Sequence, residues 1–144
     1  MPKQDLSEYL AFLLASANRQ MRIGLANSID NEDCTEEHWR ILHVLSDEQG
    51  RSMGELAEQV LMNGSALSKN MDKLVSRGLA QRAVDGKDNR KVMVFISNRG
   101  LKTVARLKRQ VNAHHDSVTE TFGSGRTKQL KALLESFISH SAPH

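Results

Sequence analysis

The stretch that decides the predicted fold is Asn63–Lys91, NGSALSKNMDKLVSRGLAQRAVDGKDNRK. Asn63 is suited to capping a helix, and Gly78 is suited to ending it in the left-handed conformation. The inward side chains of this helix recur at three- and four-residue steps: Leu67, Met71, Leu74 and Val75. After Gly78 the pattern predicts two strands, Leu79–Val84 and Val92–Ser97, with the polar loop DGKDNR between them.

A second short amphipathic helix comes just before this stretch, in SMGELAEQVLM, with Ser52 as its predicted N-cap. Two short helices separated by a tight turn and followed by a hairpin form a winged helix-turn-helix, in which the second helix enters a DNA major groove. The predicted fold class is therefore mainly α with a small β-hairpin wing.

Positive charge is concentrated in the same stretch. Residues 63–91 include seven basic and three acidic side chains, a net charge of +4, whereas the whole chain of 144 residues carries +3. Binding to DNA phosphates requires such a local excess of Lys and Arg. The charge distribution therefore favours double-stranded DNA as the partner.

The composition excludes several other classes of protein. The hydrophobic content of 39% and charged content of 26% are those of an ordinary soluble globular protein. Cys34 is the single cysteine, which excludes an intrachain disulfide and a cysteine-rich zinc site and suits a reducing cytosol. The N-terminus lacks a signal-peptide layout, and no apolar run approaches the ~20 residues that span a bilayer. We therefore expect a cytoplasmic protein with no membrane partner.

Apolar stripes also occur outside the predicted winged helix. A helix is predicted from Leu6 to about Ile29, and a second from a Thr35 cap to about Asp47. After the hairpin, Asn98 is predicted to cap a long helix to Phe122, which Gly123-Ser124-Gly125 interrupts before a last helix. The apolar residues of that last helix are Leu130, Leu133, Leu134, Phe137 and Ile138.

The three terminal helices exceed what a winged helix of about 65 residues needs for its own core. Because unburied apolar surface costs ~25 cal/mol per Å², we expect the stripes to pair with a second copy in a two-fold homodimer. Recognition helices ~34 Å apart would then read a pseudo-palindrome. Within a single domain 1–144, residues 35–98 are predicted to form the DNA-binding lobe, and residues 1–30 and 99–142 the dimerisation helices.

The order of these elements resembles the MarR (multiple antibiotic resistance regulator) family over essentially the whole chain. The specific marks are ELAEQV, SALSKNMDKLVSRGL and DGKDNRKVMVFISNRG. The last is similar to the family's wing pattern Asp-x-Arg-Asp-x-Arg, followed by a strand and Thr/Ser-x-x-Gly. Asp85, Asp88 and Arg90 match it, and Lys87 stands where the family usually has Arg. The resemblance implies an obligate dimer that represses or activates nearby genes, and that often releases DNA on binding a small, frequently aromatic ligand.

The resemblance also implies which residues contact DNA. These are Ser65, Ser68, Lys69 and Lys73 on the recognition helix. In the wing, Lys87, Asn89 and Arg90 are suited to enter a minor groove, where a narrow A·T tract concentrates negative potential. Lysine can donate to guanine, and serine can bond to several bases or to phosphate, so which side chain meets a base stays open. The structural alternatives are a solvated helix face, and wing cations neutralised by Asp85 and Asp88.

A small-molecule effector is predicted near the junction of the dimerisation helices and the DNA-binding lobe, where the family binds its ligands. Arg19 and Arg22 share one helix face and are suited to a carboxylate, while Trp39 and His43 share another and are suited to an aromatic ring. The expected effector is a small aromatic acid or its conjugate. The alternative is that Trp39 belongs to the core and the arginines are solvated.

A redox or metal sensor is the second reading of the sequence. Cys34 and His38 are four residues apart, but the flanking Glu36 and Glu37 disfavour a thiolate. The adjacent His114 and His115 point about 100° apart on a helix and do not easily share an ion. We therefore predict no bound metal and no cofactor.

Catalysis is the third reading. The chain has no Gly-rich phosphate loop, no GxSxG elbow and no HExxH motif, and Cys34 with His38 is the one conceivable nucleophile and base. We therefore predict that the protein is not an enzyme. A winged helix used only for protein contact would not require the basic recognition helix and wing.

Overall fold

The structure, a computed structural model, describes residues 5–29, 34–84 and 91–141. A short 3-10 turn, Leu6–Glu8, precedes the first helix. The helices are α1 (Leu10–Ser28), α2 (Glu36–Leu45), α3 (Met53–Val60), α4 (Gly64–Ser76), α5 (Asn98–Phe122) and α6 (Ser124–His140). The strands are β1 (Arg51–Ser52), β2 (Ala80–Val84) and β3 (Val92–Ile96). The predicted fold class, mainly α with a small winged hairpin, is confirmed.

Side-chain caps fix where the central helices begin. The Thr35 hydroxyl accepts from the His38 backbone N–H at 3.1 Å. Ser52 caps α3 in the same way through Glu55, at 3.2 Å. Both predicted caps are therefore present, and each satisfies one of the backbone donors that a helix start leaves unpaired.

The long helix α5 is capped by Ser97, not by Asn98 as predicted. The Ser97 hydroxyl accepts from the Gly100 N–H at 2.9 Å and also donates to the Gly78 carbonyl at 2.6 Å. Asn98 is the first residue of the helix. The end of β3 decides between two good capping residues, because it turns the Ser97 side chain towards both partners. At the other end, Gly123 alone separates α5 from α6, which already begins at Ser124.

The wing belongs to a three-stranded antiparallel sheet with the order β1-β3-β2. Arg82 of β2 and Arg51 of β1 both pair with Val94 of β3. The sequence predicted only the hairpin, because β1 has two residues and shows no alternating pattern. β1 ties the start of α3 to the base of the wing.

One core cluster holds the sheet to α2, α3, α4 and the start of α5. Its fully buried side chains include Ile41, Leu42, Leu45, Leu56, Val60, Leu67, Met71, Leu74 and Val94. Val75, which was also predicted to point inward, is half-buried at the edge of this cluster.

The terminal helices bury much less within one chain. Neither α1 nor α6 has a buried residue. The 3-10 turn ends at Tyr9, so that α1 begins at Leu10 rather than at the predicted Leu6. The described helices include none with the length and apolarity to cross a membrane.

Candidate nucleic-acid surface and adjoining cleft

The outward face of α4 carries the predicted DNA-contact residues of the recognition helix. Ser65, Ser68, Lys69 and Lys73 are all exposed, while the opposite face of the helix is buried in the core. The Asn63 side-chain oxygen accepts from the Ala66 N–H at 2.8 Å and fixes the first turn. Hydroxyl and ammonium donors on a rigid helix are suited to base edges and phosphates.

The wing is braced against α4 by an ion pair. Arg82 of β2 lies 2.8 Å from the Asp72 carboxylate on α4. The predicted wing contacts Lys87, Asn89 and Arg90 lie outside the described residues, so the position of these side chains stays a prediction.

A cleft of about 830 Å³ opens between α1, the start of α2 and the end of α4. It adjoins the nucleic-acid surface, because Lys73 belongs to both. Its cationic lining residues are Arg19, Arg22, Lys73 and Arg77, and its acidic ones are Glu36 and Glu37. Apolar lining comes from Ala15, Ile23 and Ala26 of α1. The predicted Arg19 and Arg22 thus line one cavity.

The two acids of the cleft already have partners in the protein. Arg22 Nη2 lies 3.0 Å from Glu37 Oε1, and its Nε lies 3.9 Å from Glu36 Oε2. Glu36 is paired with Arg40, whose Nη1 also donates to the Val60 carbonyl at 2.8 Å. Since these pairs neutralise both acids, the cleft keeps an excess of positive charge suited to an anion.

His38 also lines the cleft, although the sequence analysis did not predict it as a contact for an organic ligand. Its side chain is buried, and Nδ1 accepts from the Thr35 N–H at 3.3 Å. The neutral ring therefore carries its proton on Nε2, which is buried next to the Asn70 side chain and makes no well-formed hydrogen bond among the described residues. Burial lowers the pKa of His38, and the charges of Arg77 and Lys73 lower it further, so the ring is neutral near pH 7.

The sequence did contain a signal for this orientation. His38 occupies the third position after the Thr35 cap, where Glu or Gln usually completes a capping box. A histidine there turns one ring nitrogen back to the cap and leaves the other buried next to Asn70. A buried donor without a well-formed hydrogen bond costs free energy.

Trp39 and His43 lie outside the cavity lining. Their rings stack on each other with centroids 5.2 Å apart and planes at 24°. Trp39 is half-buried against the core cluster, and His43 is exposed. The structure therefore does not bring this pair together with Arg19 and Arg22 in one cavity.

Cys34 also lines the cleft and is half-buried. Together with His38 it supplies two residues of the kinds that bind metals. Within residues 5–29, 34–84 and 91–141, no group of three or more His, Cys, Asp or Glu is arranged to hold a metal ion.

Known proteins are similar to this chain in sequence and in fold. A model of the MarR family matches residues 33–91. The chain is 23% identical over 134 residues to the HTH-type transcriptional regulator FarR of Neisseria gonorrhoeae, covering 93% of this chain and 92% of FarR. The transcriptional repressor CouR, solved bound to a 23-mer DNA duplex, superposes with a TM-score of 0.84 at 25% identity over 95% of this chain and 97% of CouR. Residues 33–91 therefore carry the sequence pattern of the MarR family.

MarR-family proteins are DNA-binding transcription regulators rather than enzymes. NadR, solved in complex with 4-hydroxyphenylacetate, has the same fold with a TM-score of 0.75 at 23% identity over 95% of this chain and 97% of NadR. In this chain the Ser-x-x-Gly mark has a structural explanation. Ser97 caps α5, and a Cβ on Gly100 would lie 2.1 Å from the Leu79 carbonyl oxygen.

Proposed function

We propose that this protein is a ligand-responsive repressor of the MarR family that binds a pseudo-palindromic operator as a homodimer. The observation that carries the proposal is the exposed face of α4, where Ser65, Ser68 and Lys69 stand on a helix held by a buried opposite face. CouR, which has the same fold and was solved bound to a DNA duplex, supports DNA as the partner.

In this proposal residues 35–98 are the DNA-binding lobe, and residues 1–30 and 99–142 are the dimerisation helices. Each subunit inserts α4 into one major groove, and the wing residues Lys87, Asn89 and Arg90 follow the flanking minor groove, where narrow A·T tracts attract cations. The exposed apolar side chains of α1 and α6 support a second copy of this chain as the partner that covers them.

The proposed effector is a small aromatic acid or its conjugate, bound in the cleft. A volume of about 830 Å³ lies within the usual range of ligand sites. Arg19 and Arg22 would bind the carboxylate, and the His38 ring, which also lines the cleft, would contact the ligand. The complex of NadR with 4-hydroxyphenylacetate supports this ligand class. Trp39 and His43, the predicted ring contacts, are not among the lining residues of this site.

The proposed mechanism is a shift between two populations. Ligand in the cleft favours a separation of the two α4 helices that does not fit successive major grooves. By linkage, a ligand that releases DNA must bind the free protein more tightly than the DNA-bound protein by the same factor.

The test is a titration of the free dimer with 4-hydroxyphenylacetate and related aromatic acids, following Trp39 fluorescence, and a parallel titration of the DNA complex. The DNA is a duplex selected by the wild-type protein from a random-sequence pool. We expect saturable binding that Arg19→Ala weakens, together with DNA release. Absence of release by every acid would contradict the effector class.

A sensor based on Cys34 and His38 is the second candidate, because both residues line the same cleft. It predicts DNA release by peroxide that Cys34→Ser abolishes, or a change in DNA affinity on adding zinc while every organic acid fails. Either result would move the proposal from an organic ligand to redox or metal sensing.

A further inference from the structure

One carboxylate joins the cleft to the recognition helix. Glu37 Oε1 accepts from Arg22 Nη2 of α1 at 3.0 Å, and Glu37 Oε2 accepts from Asn70 Nδ2 of α4 at 3.1 Å. The two oxygens of one side chain on α2 thus link α1 to α4.

Asn70 belongs to the recognition helix but not to the cavity. It is half-buried, and the same amide nitrogen donates to the Ala66 carbonyl one turn earlier at 2.9 Å. Asn70 follows Lys69 directly. A change in the hydrogen bonds of the Asn70 side chain therefore affects the turn that carries the proposed DNA contacts. At this side of the cleft the lining residues are Lys73 of α4 and Arg77, which directly follows the helix.

Arg22 is the member of this network that an anion can reach. It lines the cleft, and its side chain is 48% exposed. The neighbouring Glu36 cannot easily take over the role of Glu37, because Arg40 already pairs with it and lies nearer to it than Arg22 does. A ligand carboxylate in the cleft therefore competes with Glu37 for the Arg22 guanidinium.

We infer that Glu37 is a positioning residue that transmits occupancy of the cleft to α4 through Asn70. In the free protein, the Arg22–Glu37–Asn70 bridge holds α4 in the arrangement that binds DNA. An anion that draws Arg22 away leaves Glu37 bound to α4 alone, and the orientation of α4 relative to α1 is then less restricted. The inference rests on the proposed function for its consequence, but the bridge itself can be tested without ligand or DNA.

The first experiment measures amide hydrogen exchange in α4 of the dimer for the wild type, Arg22→Gln, Asn70→Ala and the double variant. A partly exposed ion pair is weak, so we expect exchange at Leu67–Leu74 to rise about two- to fivefold in each single variant. The double variant should show no further rise, because the bridge is already broken. Arg109→Gln, which removes an exposed arginine on α5, is the matched control and should leave α4 unchanged.

Unchanged exchange in Arg22→Gln, or additive effects in the double variant, would overturn the inference. Glu37→Gln gives a second check, because glutamine keeps an acceptor for Asn70 but loses the charge that attracts Arg22. It should reproduce Arg22→Gln, and wild-type exchange in Glu37→Gln would also contradict the bridge.

The second experiment repeats the cycle on affinity for the duplex selected by the wild-type protein. Arg22→Gln should weaken binding about two- to fivefold, and this effect should vanish in the Asn70→Ala background. A loss that persists in that background would overturn the inference. If no duplex is selected, the proposed function fails, and the exchange experiment still decides whether Glu37 couples α1 to α4.

Discussion

The DNA-binding lobe and the terminal helices differ in how much of their apolar surface is buried within one chain. Helices α2, α3 and α4 each contribute fully buried side chains to a shared core, whereas α1 and α6 contribute none. Instead, large apolar side chains on the terminal helices stand in solvent, among them Leu10, Leu13, Leu133, Phe137 and Ile138. The lobe therefore has a core of its own, while α1 and α6 leave apolar surface that a second copy of the chain is proposed to cover.

Helix capping shows the same difference. Thr35, Ser52, Asn63 and Ser97 each cap a helix of the lobe or the start of α5 with a side-chain oxygen. Tyr9 and Gly123, at the N-termini of α1 and α6, make no such bond. Short helices with good caps are specified locally, whereas α1 and α6 depend on packing.

The largest expected effect comes from a charge on the uncovered apolar face. Phe137→Glu should convert a dimer of about twice the 16.1 kDa chain mass into monomers, since a carboxylate would be buried without a partner. Light scattering at micromolar concentration measures the mass. Leu61→Glu is the control, because Leu61 is 84% exposed in the lobe and should leave the dimer intact. A wild-type protein that is a folded monomer would contradict the proposed binding of two α4 helices to one pseudo-palindromic operator.

A pair of glycines sharpens the comparison between the two regions. Gly100→Ala should destabilise the protein by roughly 1–3 kcal/mol, because its Cβ would collide with the Leu79 carbonyl oxygen and the Ile96 side chain. Gly125→Ala in α6 has open space around the new Cβ and should be neutral or stabilising by up to ~1 kcal/mol. Denaturant unfolding measures both, and equal destabilisation by the two substitutions would contradict the difference in packing.

The smallest expected effect is the pH dependence of stability that the buried His38 contributes. The pKa of His38 is lowered in the folded protein, chiefly by burial, so the unfolded chain takes up the proton first as pH falls. The contribution of His38 to stability is therefore present above about pH 6.5 and is lost as the pH falls below that value. His38→Gln, which retains a capping-box residue, should lose less stability than the wild type between pH 7.5 and pH 5.5. Melting temperatures at the two pH values test this, and an equal loss in both proteins would contradict it.

Much of the lobe was predictable because its signals are local. The caps at Thr35, Ser52 and Asn63, and the glycine stop at Gly78, where φ is +71°, follow from short-range rules. The family resemblance carried by the helix-turn-helix and wing motifs is also confirmed. The two-residue strand β1 was missed because it exists only through its pairing with β3.

The cleft was predicted only in part, because side-chain direction depends on tertiary contacts. Arg19 and Arg22 both line the cavity, and their role as ligand contacts stays a prediction. Helical spacing cannot tell that Trp39 turns to the core and stacks on His43, or that Thr35 turns the buried His38 ring so that Nε2 is its donor. The Glu37 bridge was missed for the same reason, since Arg22 and Asn70 are 48 positions apart in the sequence.

The central claim is that the outward face of α4 binds DNA with sequence specificity. The most direct measurement is the affinity of the wild type and Lys69→Ala for the selected duplex and for a scrambled duplex of equal length, at about 150 mM salt. If Lys69 meets a base edge, the substitution should cost roughly 1–3 kcal/mol on the selected duplex and much less on the scrambled one. Lys128→Ala, which removes an exposed lysine from α6, should change neither affinity. Unchanged binding of Lys69→Ala to the selected duplex would contradict the account of α4 as the recognition helix.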